Sequence, residues 1–220
     1  MPPLAQPKIL PNMADNYLEK KMEAYLALSQ TTRKTKTSLK QLLRKNRSHR
    51  GYDPKVVVRK EHLLDIVSVA TLIPQACNQQ HLRFKLITRE QAPQLLPMLK
   101  FGAALPELHL PFPGTAPEAF IIICGQSETK LTYMDLGIAA QSMLLRATEM
   151  GLNGICIGAF SKEQLMEAFD LKYPPLLVLA IGKGIEDIRL TTIRSDEDHR
   201  YYRQDGIHYV PKVCLDDLLL

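Results

Sequence analysis

The sequence has few of the features that mark disulfide-stabilised, metal-binding or exported proteins. Its four cysteines are scattered and form no C-x-x-C pair, as expected of free thiols in a reducing compartment. Its six histidines form no H-E-x-x-H motif and no paired Cys/His set, so we predict no metal site. No G-x-G-x-x-G motif follows a predicted strand, which excludes a Rossmann dinucleotide site.

Export and membrane signals are also missing from the sequence. Residues 1–11 are rich in proline and contain one lysine, so they are interpreted as a flexible leader and not as a secretory signal. The longest apolar helical pattern, which starts near Thr132, is too short and too charged to span a bilayer. We therefore expect a cytoplasmic protein without a membrane segment.

Length and composition indicate one domain with an arm. The 220 residues are 45% hydrophobic, which is ordinary for a globular protein with a sizeable core. We predict an N-terminal leader and helical arm over residues 1–36, with a helix over 16–29. The remaining residues, 37–220, are predicted to form one domain that includes a C-terminal extension.

The stretch from Thr132 to Phe160 has the strongest structural pattern in the sequence. It predicts a long helix with apolar residues around most of its circumference, which must be covered by protein from the same chain or from a partner. Its polar residues keep to one stripe, formed by Asp135, Ser142, Arg146 and Glu149. Gly151 suits a left-handed helix end, and residues 155–157 predict a short buried strand that ends at Gly158.

Short apolar strands alternate with helices along the rest of the domain. Strands are predicted over 82–88, 119–124 and 176–181, and helices over 38–44, 60–72, 91–99 and 161–169. This alternation favours an α+β fold with a central mixed or antiparallel sheet of about four or five strands flanked by helices.

Positive charge is concentrated in one window. Between Arg33 and Lys60 there are eleven lysine or arginine residues and one acid, Asp53. The window carries +10 and the rest of the chain −5, which together give the net +5. Such a window indicates an anionic neighbour: a phosphate group, a nucleic acid or an acidic surface. Against nucleic acid, Tyr52 is the one aromatic residue there and offers little stacking surface.

Three short motifs suggest chemistry, and each also has a plain structural interpretation. Arg47-Ser48-His49-Arg50 suits a phosphate, because guanidinium groups donate in pairs, but it could equally be a solvated basic turn. The amides of residues 74–80 could match the pyrimidine edge of a flavin or could satisfy their own backbone. The N–H groups at Ile157 and Gly158 could approach a flat ligand or could simply belong to a packed sheet.

Taken together and in this order, the motifs resemble the FMN-dependent nitroreductase family over roughly residues 39–184. The resemblance implies that Arg47, Ser48 and Arg50 hold the FMN phosphate, with Lys212 as a further contact. It also implies that residues of the amide run lie along or near the isoalloxazine, namely Pro74, Gln75, Asn78 and Gln80. Ile157 and Gly158 would approach the ring from the other subunit of an intertwined homodimer with FMN in its interface.

The same resemblance implies a function. The chain would transfer electrons from NADH or NADPH to a nitroaromatic, a quinone or a similar small acceptor by a ping-pong hydride mechanism. The chemistry would belong to the cofactor, so no catalytic acid or base is predicted. Two alternatives remain open: a basic nucleic-acid-binding module that uses residues 33–60, and a non-catalytic flavin-binding protein.

Overall fold

The computed structural model describes residues 20–21, 37–102, 108 and 110–220. Contacts divide the chain into residues 1–38 and 39–220, and the predicted division into 1–36 and 37–220 stays a prediction. The helix predicted over 16–29 lies outside the described residues except at Lys20 and Lys21, which are helical. Within the described residues, no helix combines the length and the apolar character needed to cross a bilayer.

The central sheet has four antiparallel strands in the order β1-β2-β4-β3. These strands are β1 (Leu82–Ile87), β2 (Ala119–Gly125), β3 (Asn153–Ile157) and β4 (Pro175–Gly182). β2 and β4 lie at the centre, and β2 is buried at every position. The α+β fold with a central sheet predicted from the sequence is confirmed.

Helices cover both faces of this sheet. They are α1 (Leu39–Lys45), α2 (Lys60–Ser68), α3 (Ala92–Leu95), α4 (Lys130–Glu149) and α5 (Lys162–Phe169). Successive strand residues point to opposite faces. Ile121 and Ile123 therefore join a core beneath α4 and α2, whereas Phe120 and Ile122 join a second core beneath α5 and α3.

α4 is the long helix predicted from the sequence. The Thr129 side chain caps it by accepting the N–H of Thr132 at 3.2 Å, and Gly151 follows its end with a left-handed φ of 80°. One side of α4 packs on the sheet, but Leu131, Met134 and Ile138 on its outer side are 46%, 55% and 40% exposed. The residues that the structure describes therefore leave part of this apolar helix uncovered.

A second, three-stranded sheet follows the central one and was not predicted. It consists of β5 (Asp187–Ile193), β6 (Tyr202–Gln204) and β7 (Ile207–Val213), in the order β5-β7-β6. β5 pairs with β7 in parallel, and β6 pairs with β7 in antiparallel orientation. This sheet places the C-terminal extension beside the segment that contains Arg47.

Candidate functional site

A cavity of about 410 Å³ opens between the two sheets. We call it the basic cleft. One wall is the segment after α1, which contributes Asn46, Arg47, Ser48 and Arg50. The second sheet forms the opposite wall through Ile188, Tyr201, His208, Val210 and Lys212. Gln141 and Leu144 of α4, with Gly154 and Cys156 of β3, complete the lining.

The segment after α1 is held against the central sheet by its backbone. Ser48 forms a parallel bridge with Gly154, and the N–H of His49 donates to the carbonyl oxygen of Gly154 at 3.2 Å. A Cβ at Gly154 would lie 2.6 Å from the carbonyl oxygen of Ala180 in β4 and 2.6 Å from Cδ2 of Leu144 in α4, so glycine is required for the close packing of β3 on these two neighbours. The three hydrogen-bonding side chains of the predicted phosphate motif are thereby fixed at the mouth of the cleft.

The two guanidinium groups in the cleft have different partners. Arg47 donates to the carbonyl oxygens of Leu43 and Asn46, at 2.7 and 2.6 Å, and partial burial lowers its pKa. Arg50 donates to the Ser48 carbonyl oxygen at 3.2 Å and lies over the Tyr201 ring, 5.4 Å from its centroid. The Nε of Arg50 is buried without a hydrogen-bond partner among the described residues. Such a donor favours an anionic ligand.

The amide segment, residues 74–80, lies elsewhere. Its anchor is Asp135 of α4, a buried carboxylate that accepts the N–H of Ala76 at 2.9 Å. Cys77, Asn78 and Gln80 have left-handed φ angles of 49°, 50° and 53°, which non-glycine residues rarely adopt. These strained residues are exposed and do not line the basic cleft.

Helix geometry explains this separation. Asp135 anchors the amide segment, and Leu144 lines the basic cleft. The two residues are about two and a half helical turns apart, so they point in opposite directions. Within one protomer, the amide segment and the basic cleft therefore lie on opposite sides of α4.

The structure thus brings together some of the predicted site residues and not others. Arg47, Ser48, Arg50 and Lys212 meet in the basic cleft, whereas Pro74, Gln75, Asn78 and Gln80 lie outside it. Ile157 is buried in the core beneath α5, and Gly158 is exposed just beyond the end of β3.

β3 carries Ile157 and lies beside the arginines of its own protomer through the bridge between Ser48 and Gly154. The approach of Ile157 and Gly158 to a flavin ring from the other subunit stays a prediction.

A sequence model described as the nitroreductase family matches residues 43–183. The chain belongs to the nitroreductase family. This match includes the segment of Arg47, the amide segment and the whole central sheet. In this family member, the second sheet and its contribution to the basic cleft lie beyond the matched residues.

Individual relatives agree with this membership. YodC of Bacillus subtilis, provisionally named an NAD(P)H nitroreductase, is 24% identical over 184 residues, which cover 68% of this chain and 91% of YodC. A nitroreductase family protein of Streptococcus pneumoniae superposes with a TM-score of 0.57 at 17% identity, covering 69% and 93% of the two chains. A structure from Exiguobacterium sibiricum, described as a provisional nitroreductase in complex with FMN, superposes with a TM-score of 0.56 at 24% identity, covering 70% and 91%.

Three residues of the site carry no signal in the sequence analysis. Tyr201 directly precedes β6 and His208 lies in β7 of the unpredicted second sheet, and their rings are in edge contact with centroids 5.1 Å apart. Glu186 lies between the two sheets and accepts N–H groups from the segment that follows Ser48. A C-terminal extension is predicted from the sequence, but its residue pattern does not indicate which side chains face the cleft.

Two buried histidines at the site make stability depend on pH. Burial lowers the pKa of His49, despite Glu186 at 3.9 Å, which raises it. Burial also lowers the pKa of His208, assisted by Arg50 and Arg203. Between the folded pKa and the ordinary value of 6.5, the unfolded chain binds more protons than the folded protein. The stability contributed by the neutral rings is therefore complete above pH 6.5 and decreases as the pH falls.

We expect the free energy of unfolding to decrease below this pH by at most about 1.4 kcal/mol per pH unit for each buried histidine. Urea unfolding at a series of pH values measures the slope. His208→Gln should reduce the slope, and His199→Gln, which replaces an exposed histidine, serves as the matched control. A flat profile down to about pH 5 would contradict the assignment of these rings as neutral in the folded protein.

Proposed function

We propose that this chain is an FMN-dependent oxidoreductase that transfers electrons from NADH or NADPH to a small acceptor such as a nitroaromatic or a quinone. Membership of the nitroreductase family supports the oxidoreductase class. The FMN described for the Exiguobacterium sibiricum structure supports the choice of cofactor. The observation that carries the proposal is the buried, unpartnered Nε of Arg50 in a cleft that also holds Arg47, Ser48 and Lys212.

The residues of the basic cleft fit a phosphate monoester. Arg47, Arg50 and Lys212 line the cavity together with the hydroxyl of Ser48. An anion there would give Arg50 Nε the acceptor that the described residues do not provide. We assign Arg47, Ser48, Arg50 and Lys212 to the FMN phosphate. FMN supplies the two-electron chemistry when bound. The chain's own residues anchor the phosphate and favour an anionic cofactor electrostatically.

The cofactor itself provides the test of this proposal. Purified protein incubated with FMN and freed of excess should show a flavin absorption spectrum that NADH or NADPH bleaches and an acceptor restores. Riboflavin, which lacks the phosphate, should bind at least about tenfold more weakly, because charge-assisted hydrogen bonds would be lost. A preparation that takes up no FMN would overturn the proposal.

We also propose that the site is completed in a homodimer. Leu131, Met134 and Ile138 form an exposed apolar strip on the outer side of α4. Viewed along the axis of α4, Asp135 and Leu144 point to opposite sides, and this strip lies on the outer face between them. Two protomers packed through these strips could bring the amide segment of one towards the basic cleft of the other. Asn78 would then lie along the flavin ring with Gln80 nearby, as the family resemblance implies.

Ile138→Asp is expected to disrupt the dimer. A carboxylate in an apolar interface loses solvation and burial energy, and we expect the dimer dissociation constant to rise by about 30-fold. Light scattering coupled to size-exclusion chromatography measures the oligomeric state. Leu64→Asp changes a similarly exposed apolar residue on α2 and serves as the control. A wild-type protein that is monomeric at every concentration would contradict the dimer.

Gly158→Val tests the position of the flavin ring. Among the described residues, a Cβ at Gly158 would meet no heavy atom within 4 Å apart from its chain neighbours, so the folded protein should tolerate the side chain. If the ring lies against this backbone, the added bulk should weaken FMN binding by about 20-fold. Fluorescence titration and thermal unfolding together measure the effect. Unchanged FMN affinity would show that the flavin ring does not lie against the end of β3.

The alternative functions have less support. In the basic window, Arg50 is 9% exposed and lines the cleft, so this residue is not displayed to a nucleic acid on an open surface. Binding to DNA or RNA with a steep salt dependence would favour that alternative. Steady-state oxidation of NAD(P)H with a quinone separates a catalytic protein from a flavin store. The scattered free cysteines support a cytoplasmic location, which is part of the proposal.

A further inference from the structure

Glu186 lies at the junction of the two sheets that form the basic cleft. It follows the end of β4 and immediately precedes β5, and its side chain is 8% exposed. Its Oε2 accepts the backbone N–H groups of Arg50 and Gly51, the latter at 3.2 Å. Its Oε1 forms an ion pair with Arg203 of β6. Glu186 is not among the residues that line the basic cleft.

These partners account for the burial of this carboxylate. A buried carboxylate is costly unless charge and hydrogen bonds compensate it, and here two N–H groups and one guanidinium do so. Consecutive N–H groups directed at one acceptor form a natural anion site. Glu186 fills this site from within the chain. The backbone at residues 50–51 is therefore committed to Glu186, while the side chain of Arg50 lines the cleft.

The same carboxylate also fixes the opposite wall. Arg203 pairs with His208 in the register of β6 and β7, and both His208 and Lys212 of β7 line the cleft. Tyr201, just before β6, supports the guanidinium of Arg50. One buried side chain thus connects the segment after α1 with the second sheet.

We propose that Glu186 is a positioning residue for FMN: it sets the separation of the two walls of the basic cleft without touching the cofactor. This inference rests on the proposed function. The inference predicts that FMN binds more tightly when the carboxylate of Glu186 is present, although this carboxylate and the FMN phosphate are both negatively charged. A direct electrostatic effect would have the opposite sign, since removing a negative charge near the site should strengthen phosphate binding.

Three variants test the role of Glu186. We expect Glu186→Ala to weaken FMN binding by about 30-fold and Glu186→Gln, which keeps one acceptor oxygen, by about fivefold. Formate or acetate should partly restore FMN binding to Glu186→Ala by occupying the vacated site, whereas chloride should not. Riboflavin affinity should change much less. Asp187→Asn removes the neighbouring exposed carboxylate and should leave FMN affinity unchanged.

A measurement without flavin separates this inference from the proposed function. Hydrogen exchange at the amides of Arg50 and Gly51 should become faster in both Glu186 variants of the flavin-free protein, and formate should slow it in Glu186→Ala. If wild-type protein binds no FMN, the proposed function is wrong. The positioning role for FMN is then wrong as well, even if hydrogen exchange at Arg50 and Gly51 becomes faster in the Glu186 variants. If wild-type protein binds FMN but both variants bind it as tightly, the positioning role alone is overturned. Should Glu186→Ala not fold, Glu186→Gln alone decides in the same way.

Discussion

Replacing Arg47 with alanine is expected to raise the dissociation constant for FMN by about 100-fold, the largest binding effect that the structure predicts for one side chain. Arg47 lines the basic cleft, and its backbone neighbour Ser48 is bridged to Gly154. A guanidinium forms charge-assisted hydrogen bonds to a phosphate, which are among the stronger ones in proteins. Fluorescence quenching of FMN on titration with the variant measures the change.

The fold should survive the Arg47→Ala substitution. Arg47 donates to the carbonyl oxygens of Leu43 and Asn46 at the end of α1, so its removal should cost about 1 kcal/mol of stability. Arg44→Ala removes an exposed charge from the same helix end and serves as the control. Arg47→Lys should recover part of the affinity, because it keeps the charge without the paired donors. Equal FMN affinity in wild type and Arg47→Ala would show that the phosphate lies elsewhere.

The two central strands, β2 and β4, were predictable because they are buried on both faces. The run of apolar residues over 119–124 predicts a strand, and β2 extends over Ala119–Gly125 with every residue buried. The sequence could not show that Ile121 and Phe120 join different cores, because both neighbours are apolar. That information comes from the helices that cover each face.

The second sheet was not predictable from local pattern. The alternation in β5 is interrupted at Thr191 and Thr192, and its apolar Leu190 is 42% exposed. A strand with no consistently buried face gives little periodic signal. Pairing with β7, farther along the chain, fixes this strand instead.

Some residues of the candidate site are neighbours in the sequence, whereas others meet only in the folded protein, and only the first kind was predictable from local pattern. The phosphate motif could be read from the sequence because Arg47, Ser48 and Arg50 are adjacent in the chain. Glu186 could not, since it meets the N–H of Arg50 across 136 positions of sequence. The placement of Asn78 away from the cleft follows from the geometry of α4, and contact between Asn78 and FMN stays a prediction that depends on a partner subunit.

Gly184→Ala is expected to have the largest effect on folding, a loss of about 3 kcal/mol. A Cβ at Gly184 would lie 2.1 Å from Nδ1 of His49 and 2.4 Å from its Cγ. The ring has little room to move, because His49 is 6% exposed and its backbone bonds to both Gly154 and Tyr52. Movement of His49 would displace Ser48 and Arg50 on either side of it, so FMN affinity should decrease as well. Urea unfolding and FMN titration measure the two effects.

A double-mutant cycle tests whether the ring of His49 causes the loss of stability in Gly184→Ala. If the clash with the imidazole ring is responsible, Gly184→Ala should cost much less in a His49→Ala background, and the coupling should approach about 2 kcal/mol. Gly158→Ala places a methyl group where no other described residue has an atom within 4 Å apart from the chain neighbours and should change stability by less than about 0.5 kcal/mol. Additive losses in the two backgrounds would show that Gly184 is required for its own backbone and not for the ring of His49. The ring of His49 would then not be the contact that excludes a side chain at position 184.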